Sequence, residues 1–489
     1  MKKLLGYTLF AAVFLLIGML LADTKVAEVA RTTAKSASSK AIEVVANKAD
    51  IDTRTMVLAE NPRMINRIME GGAFGGEYSL AAAQNMFGRT EDAIEDVRKK
   101  THVIEVGPRS YLIRMPIVNA AFFETDEGIV LVDTGMGPAG PAILDAIRSV
   151  SDKPIHTIIY THGHVDHAYG TWAIMEAGET PEIIGHELLE ERFHRYIRLR
   201  GSLAGYMSQP EEQLPSSEAD LVWPTRYMSD RLELEIGGET FVLQHHKGET
   251  DDQLYVWVPG RGALASADYY QGFLPNAGNG KRYQRHVEDW VVALQEMASL
   301  EPQILLPAHG EAITDGATIV ENFSVLAEAL QYIVDYTIEG LNAGKRKDLI
   351  YGSVQLPEHL ATHPTLNVQY VSPNDISKMV IKKYTGWWDD IPSNWTPAAM
   401  EDQGNMIIEL AGGNIPTITA YARGLIGQDI RLASHLTDWL FYARPDDPDV
   451  QQLVFDVYKA RILDPDTNTM EMLTYLDQMT AARERSRNK

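Results

Sequence analysis

The chain of 489 residues contains no cysteine. Disulfides and thiolate metal sites are thereby excluded, so any metal must be held by histidine, aspartate and glutamate. Positive charge is also short: 44 lysines and arginines face 67 aspartates and glutamates, a formal net charge of −23. Nucleic acid and anionic membrane surfaces both need a basic footprint, and neither is expected as the main partner. A small anionic molecule stays open, because its binding depends on local charge. What remains is an ordinary globular composition, 45% hydrophobic and 23% charged, long enough for two or three domains.

The ends and the middle of the chain read differently. Lys2-Lys3 precede residues 4–22, nineteen positions without a charge. A positive start and such an apolar run form an export-type segment whose length approaches a membrane span. Residues 1–22 are read as either a cleaved signal or a retained membrane anchor. Lysines on the near side would send the rest across, so the bulk is expected outside the cytoplasm, periplasmic or membrane-anchored. Residues 23–99 are read as an N-terminal spacer or extension, since 23–50 is rich in Ala, Ser, Thr and Lys and has no aromatic residue. From 100 to 316, short β-rich runs alternate with helix-like segments, the pattern of an α/β domain. Runs at 111–113, 128–133, 156–161, 240–244, 253–257, 263–266 and 304–306 read as strands. From 317 to 489 the signal is helical. Ile319, Phe323, Leu326, Leu330 and Ile333 recur at helical spacing on one apolar face, and Asn342-Ala-Gly344 is a natural stop. Segments near 397–411, 415–426, 429–442 and 448–462 read as short paired helices without a clean repeat.

One stretch carries chemistry. In Thr161-His-Gly-His-Val-Asp-His167, three histidines and an aspartate follow the apolar run Ile158-Ile159-Tyr160. A strand end projects residues into a crevice, and the loop after it can converge several side chains on one point. Imidazoles and a carboxylate suit zinc and related metals. Further candidate ligands follow other apolar runs: His245, His246 and Glu249 after 240–244, Asp268 after 263–266, and His309 after 304–306. Ligand chemistry at four separate strand ends is far more specific than one motif.

These residues resemble the metallo-β-lactamase superfamily, whose HxHxDH signature stands here as His162, His164, Asp166 and His167. Asp133 matches the family's preceding aspartate, Asp268 its bridging aspartate and His309 its last ligand. The resemblance implies an αββα sandwich in which His162, His164 and Glu249 hold one divalent metal. Asp166, His167 and His309 would hold the other, with Asp268 between them. Zinc is the metal expected, two ions per chain. Gly248-Glu249-Thr250 puts a glutamate where the superfamily usually has histidine, a mark of the alkylsulfatase branch; His245 or His246 is the competing ligand. Because imidazole is the usual ligand there, Glu249→His is expected to tolerate a metal. Three anionic ligands against two divalent cations leave about one positive charge.

The helical half resembles the alkylsulfatase dimerisation domain, on Ala329-Leu-Gln-Tyr-Ile-Val-Asp335, Leu356-Pro357-Glu358 and Tyr384-Thr-Gly-Trp387-Trp388. It implies a homodimer, with Trp387 and Trp388 either in the core or at the interface. No sterol-carrier-like third domain is expected. The resemblance further implies a dinuclear metal hydrolase of alkyl sulfate esters, with Asp166 taking the proton of the attacking water. Asn276 matches the family's sulfate-contacting asparagine, or is a plain turn residue. The matching arginine position carries Lys281, with Arg282 and Arg285 nearby, and lysine lacks the planar fork that suits an oxyanion. An amphiphilic anionic ester is the substrate expected. Competing readings are another hydrolysis in the superfamily (lactone, β-lactam or phosphodiester) and a dimeric scaffold with a vestigial metal site.

Overall fold

The computed structural model describes residues 53–72 and 79–487. The export-type segment and the spacer at 23–50 lie outside them. Among the described residues, no helix is long and apolar enough to cross a membrane. The described residues divide into two compact units, one within 72–390 and the other made of 53–71 with 391–487.

The larger unit is built on two sheets. Seven strands lie in sequence order in the first: β1 (His102–Gly107), β2 (Ser110–Arg114), β3 (Asn119–Glu124), β4 (Ile129–Val132), β5 (Ile155–Ile159), β6 (Glu182–His186) and β7 (Arg226–Met228). Pairing is antiparallel from β1 to β4 and parallel from β4 to β7. The second sheet has the order β12 (Ile304–Leu306), β11 (Ala263–Ala265), β10 (Leu254–Val258), β9 (Glu239–His245), β8 (Arg231–Ile236).

Alternation along the first sheet explains its central place. Leu112, Phe123, Val130, Val132 and Ile159 face a core shared with Phe241, Leu243, Leu254 and Val256 of the second sheet. Their neighbours Ile113, Phe122, Leu131 and Ile158 face the opposite core with Ile143 and Ile147 of the helix Gly140–Arg148. A strand buried on both sides has no polar face, which is why β4 reads Ile-Val-Leu-Val. Helix Val287–Ser299 brings the buried Trp290 against Tyr269, its indole N–H donating to the Tyr269 carbonyl at 3.0 Å.

The helix expected from 317 spans Gly316–Asn342 and stops before Gly344, whose φ of +66° suits a residue without a Cβ. Its stripe Ile319, Phe323, Leu326, Leu330 and Ile333 is wholly buried, and the helix packs along Val287–Ser299. The compact units accordingly divide at Asp390, not at the 316/317 boundary read from the change in periodicity. An apolar helix face needs an apolar partner, and the sheet-bearing unit supplies it. Trp387, by contrast, is 76% exposed, so it is not core.

In the smaller unit the four expected helices appear as Met400–Leu410, Ile415–Leu425, Ile430–Ala443 and Pro448–Leu463, followed by Thr469–Arg487. Two helices from the segment read as spacer, Thr53–Ala59 and Pro62–Gly72, add Val57, Met64 and Ile68 to the same core as Leu440, Val454 and Met472. Part of the expected extension is thus structural.

Candidate metal centre

Each expected ligand follows the C-terminal end of a strand. His162, His164, Asp166 and His167 follow β5, Glu249 follows β9, Asp268 follows β11 and His309 follows β12. The fold brings all seven together in two groups. Potential ligand atoms of His162, His164, Glu249 and Asp268 lie within 4.8 Å of one another, as do those of Asp166, His167 and His309. Asp268 faces both. Its Oδ2 is 3.9 Å from His162 Nε2, and its Oδ1 is 3.3 Å from both His167 Nε2 and His309 Nε2.

Outer partners decide which nitrogen of each ring is available. Asp133, held at φ +63° beyond β4, accepts from the Thr161 N–H at 2.8 Å and the Thr161 hydroxyl at 2.7 Å. Its Oδ2 also lies 2.8 Å from His167 Nδ1. With its own proton given to Asp133, the Thr161 hydroxyl can accept from His162 Nδ1 at 3.1 Å. His309 Nδ1 donates to the Ile117 carbonyl at 2.7 Å. In each ring Nε2 is left to face the centre, the usual arrangement of a metal-binding histidine. Ile117 has φ +74°, an uncommon conformation for a β-branched residue. Asn119 braces the same place, its side-chain amide donating to the carbonyls of Pro307 and Gly310 on either side of His309.

Charge is distributed unevenly. Burial pushes His162 and His164 well below the usual histidine range; His167 adds to it at His162, His162 at His164, and Arg192 and Arg285 at both. Burial also disfavours the charged forms of His167 and His309, but Asp268 and Asp166 outweigh it and raise both, His309 to about 9. The histidines at Asp268 in turn hold its carboxyl well below the usual range against the effect of burial.

The donor set fits two divalent cations. His167 Nε2 and Asp268 Oδ1 are buried without a hydrogen-bond partner, a costly state for polar atoms unless something else binds them. His162 Nε2 and His164 Nδ1 converge to 2.9 Å, two imidazole nitrogens aimed at one another as around a shared ion.

The competing ligands are occupied elsewhere. His246 Nε2 is 2.7 Å from Glu296, and His245 stacks on His186 at 3.8 Å. The basic residues expected at the substrate separate into different roles. Arg285 is buried against Glu249, with Nη2 2.9 Å from Oε1. Asn276 donates to the same oxygen at 2.7 Å while its own Oδ1 is buried without a partner. Arg282 Nη1 is likewise buried and unpartnered, whereas Lys281 is half-buried, its backbone N–H donating to Asn279. Sequence reasoning missed Asp252, whose Oδ2 accepts from the Gly163 N–H at 2.7 Å between two ligands. The acidic pair Asp251-Asp252, two and three residues beyond Glu249, was its only signal.

Residues 114–309 match the metallo-beta-lactamase superfamily and residues 347–484 the alkyl sulfatase dimerisation family. A linear primary-alkylsulfatase of Pseudomonas sp. (strain ATCC 19151) is 26% identical over 66% of this chain and 66% of its own length. An alkyl/aryl-sulfatase of Saccharomyces cerevisiae is 21% identical over 71% of this chain and 58% of its own. The chain thus spans just under two thirds of the first of these relatives and less of the second. A stereoselective inverting sec-alkylsulfatase from Pseudomonas sp. shares the fold, with a TM-score of 0.69 at 17% identity over 88% of this chain and 77% of the other. The chain joins a metallo-beta-lactamase superfamily domain to an alkyl sulfatase dimerisation domain and is homologous to the Pseudomonas alkylsulfatases.

Proposed function

We propose that the protein hydrolyses alkyl sulfate esters at a centre of two divalent metals, zinc in both positions. The observation that carries this reading is the pair of ligand groups, both faced by Asp268, with a glutamate among the ligands, in a chain homologous to alkylsulfatases. Bound there, two such ions would acidify a water and neutralise charge on the ester's oxygens.

The chain's own residues supply the rest. Asp166 Oδ2 lies 3.9 Å from His309 Nε2 and 3.7 Å from His167 Nε2, on the more open side of the centre, where its carboxylate can take the water proton. Arg282 supplies a buried guanidinium nitrogen with no protein partner, suited to a sulfate oxygen, and Lys281 adds charge beside it. Arg285 acts on Glu249 instead. Sulfate release from medium-chain alkyl sulfates, assayed beside lactone and phosphodiester reporters, tests the reading. Arg282→Ala should lower kcat/KM about ten- to a hundredfold, the usual cost of a hydrogen bond to a charged group. A metal-replete protein that opens lactones or phosphodiesters and frees no sulfate overturns the substrate.

The partner proposed is a second copy of the chain. The smaller unit exposes Leu410 by 79%, Tyr421 by 64% and Leu432 by 52%, apolar side chains available to a second copy. Sedimentation at micromolar concentration should give a dimer, and Leu410→Glu should weaken it. A wild-type monomer refutes this. Export across a membrane rests on Lys2-Lys3 and residues 4–22, and cell fractionation tests it.

A further inference from the structure

Glu249 is gripped by protein groups at both carboxylate oxygens and along its backbone. Its Oε1 takes the Asn276 amide at 2.7 Å and Arg285 Nη2 at 2.9 Å, and its Oε2 takes the Gln271 amide at 3.2 Å. Its backbone is gripped as well: the N–H donates to Gln253 Oε1 at 2.8 Å and the carbonyl accepts from Arg285 Nη1. Arg285 is 2% exposed, and its Nε has no partner. Burial, with Asp268 and Asp166 near it, pushes the Glu249 carboxyl up to about 8, and Arg285 is the neighbour that favours its charged form; Arg192 and Arg282 lie near enough to Arg285 to add repulsion.

We infer that Arg285 is the matched counter-ion of Glu249 and restricts this ligand position to a carboxylate. The inference rests on the two-metal reading of the centre. A guanidinium stays protonated at any ordinary pH, so its charge must be answered where it lies. An imidazole in place of Glu249 could offer one nitrogen to a metal, but its other nitrogen would then carry hydrogen. Arg285 would meet a donor and a cation where it now meets an anion. Free exchange of glutamate for the superfamily's histidine, expected from sequence, should therefore fail here. Removing one member of a buried ion pair strands the other, and that costs far more than replacing both by apolar groups.

The experiment uses the full chain, with zinc content by elemental analysis and zinc affinity by chelator competition. Wild type should bind close to two ions. Glu249→His should weaken one site at least about a hundredfold, a loss on the scale of a broken buried pair, and retain about one ion. Glu249→His with Arg285→Met should recover at least about tenfold of that loss. If the single variant binds both ions as tightly as wild type, or the double binds no more tightly than the single, the pairing is overturned while the metal reading stands. A wild-type chain that binds no zinc overturns both. Should the histidine variants not fold, Glu249→Gln keeps the shape and removes the charge. Metal-free Glu249→Gln should then unfold at a lower temperature than Glu249→Gln with Arg285→Met, and an equal or higher midpoint for the single refutes the pairing.

Discussion

The two ligand groups sit side by side yet are held by different physics. His162, His164 and Glu249 form a group whose imidazoles burial keeps neutral, and whose one charge is answered by Arg285. Around Asp166, His167 and His309, carboxylates lie directly beside the imidazoles and draw protons onto them. The first group is prepared for a cation by its neutral donors. The second is held open by carboxylate–histidine pairs that a cation would replace. Asp268 alone belongs to both, since each of its oxygens faces a different group.

That sharing gives the largest expected effect. Asp268→Ala should empty both sites and lower the proposed sulfatase activity by on the order of a thousandfold or more, since several kcal/mol of charge stabilisation would depend on the metals. Elemental analysis beside the rate checks it. Loss of a single ion would mean that the groups are independent and that Asp268 serves only one.

The outer partners divide the groups more finely. Asp133 touches His167 directly and reaches His162 through the Thr161 hydroxyl. Asp133→Ala should cost about 10- to 100-fold in metal affinity at the second site, the usual effect of removing such a partner, and less at the first. Thr161→Val should reverse the preference, with a smaller loss confined to the first site. Metal titrations that show both variants weakening the same site would collapse the distinction.

The centre was legible in the sequence because its ligands keep a short fixed spacing and each follows an apolar run that could only be a strand. Glu249 was harder, with two histidines just before it. The competition is resolved by tertiary contacts, Glu296 beside His246 and His186 beside His245, and no local pattern announces either. Asn119 carries no chemical signature at all, yet its side chain braces the His309 loop from nearly two hundred residues away. The division into compact units at Asp390 was not legible for a related reason. Periodicity marks where a helix begins, as at Gly316, but not which unit covers its apolar face. In the same way nothing local in 53–72 says that Val57 and Met64 have partners beyond residue 400.

The smallest expected effect lies just outside the first group, on the strand that leads to Glu249. His245 ends β9 with its ring stacked on His186, and its Nδ1 donates to the Gln253 carbonyl at 2.8 Å. His186 is tied the other way, its Nδ1 accepting from the Leu188 N–H at 3.1 Å. Burial, with His186 beside it, pushes His245 down to about 4, against about 6.5 in an unfolded chain. Between those values the unfolded chain binds a proton that the folded chain refuses. The stability that His245 contributes as a neutral ring is therefore complete above about pH 6.5 and declines as pH falls toward 4. The ring is only half-buried, so solvent screens part of the effect and the change should be modest. Asn at this position can keep a donor toward Gln253 and cannot titrate. Denaturant midpoints of metal-free protein at about pH 7.5 and about pH 5, on either side of the unfolded histidine value, should fall less for His245→Asn than for wild type. Equal falls would place the acid sensitivity elsewhere, most directly at His162 and His164, which burial also holds well below the usual histidine range.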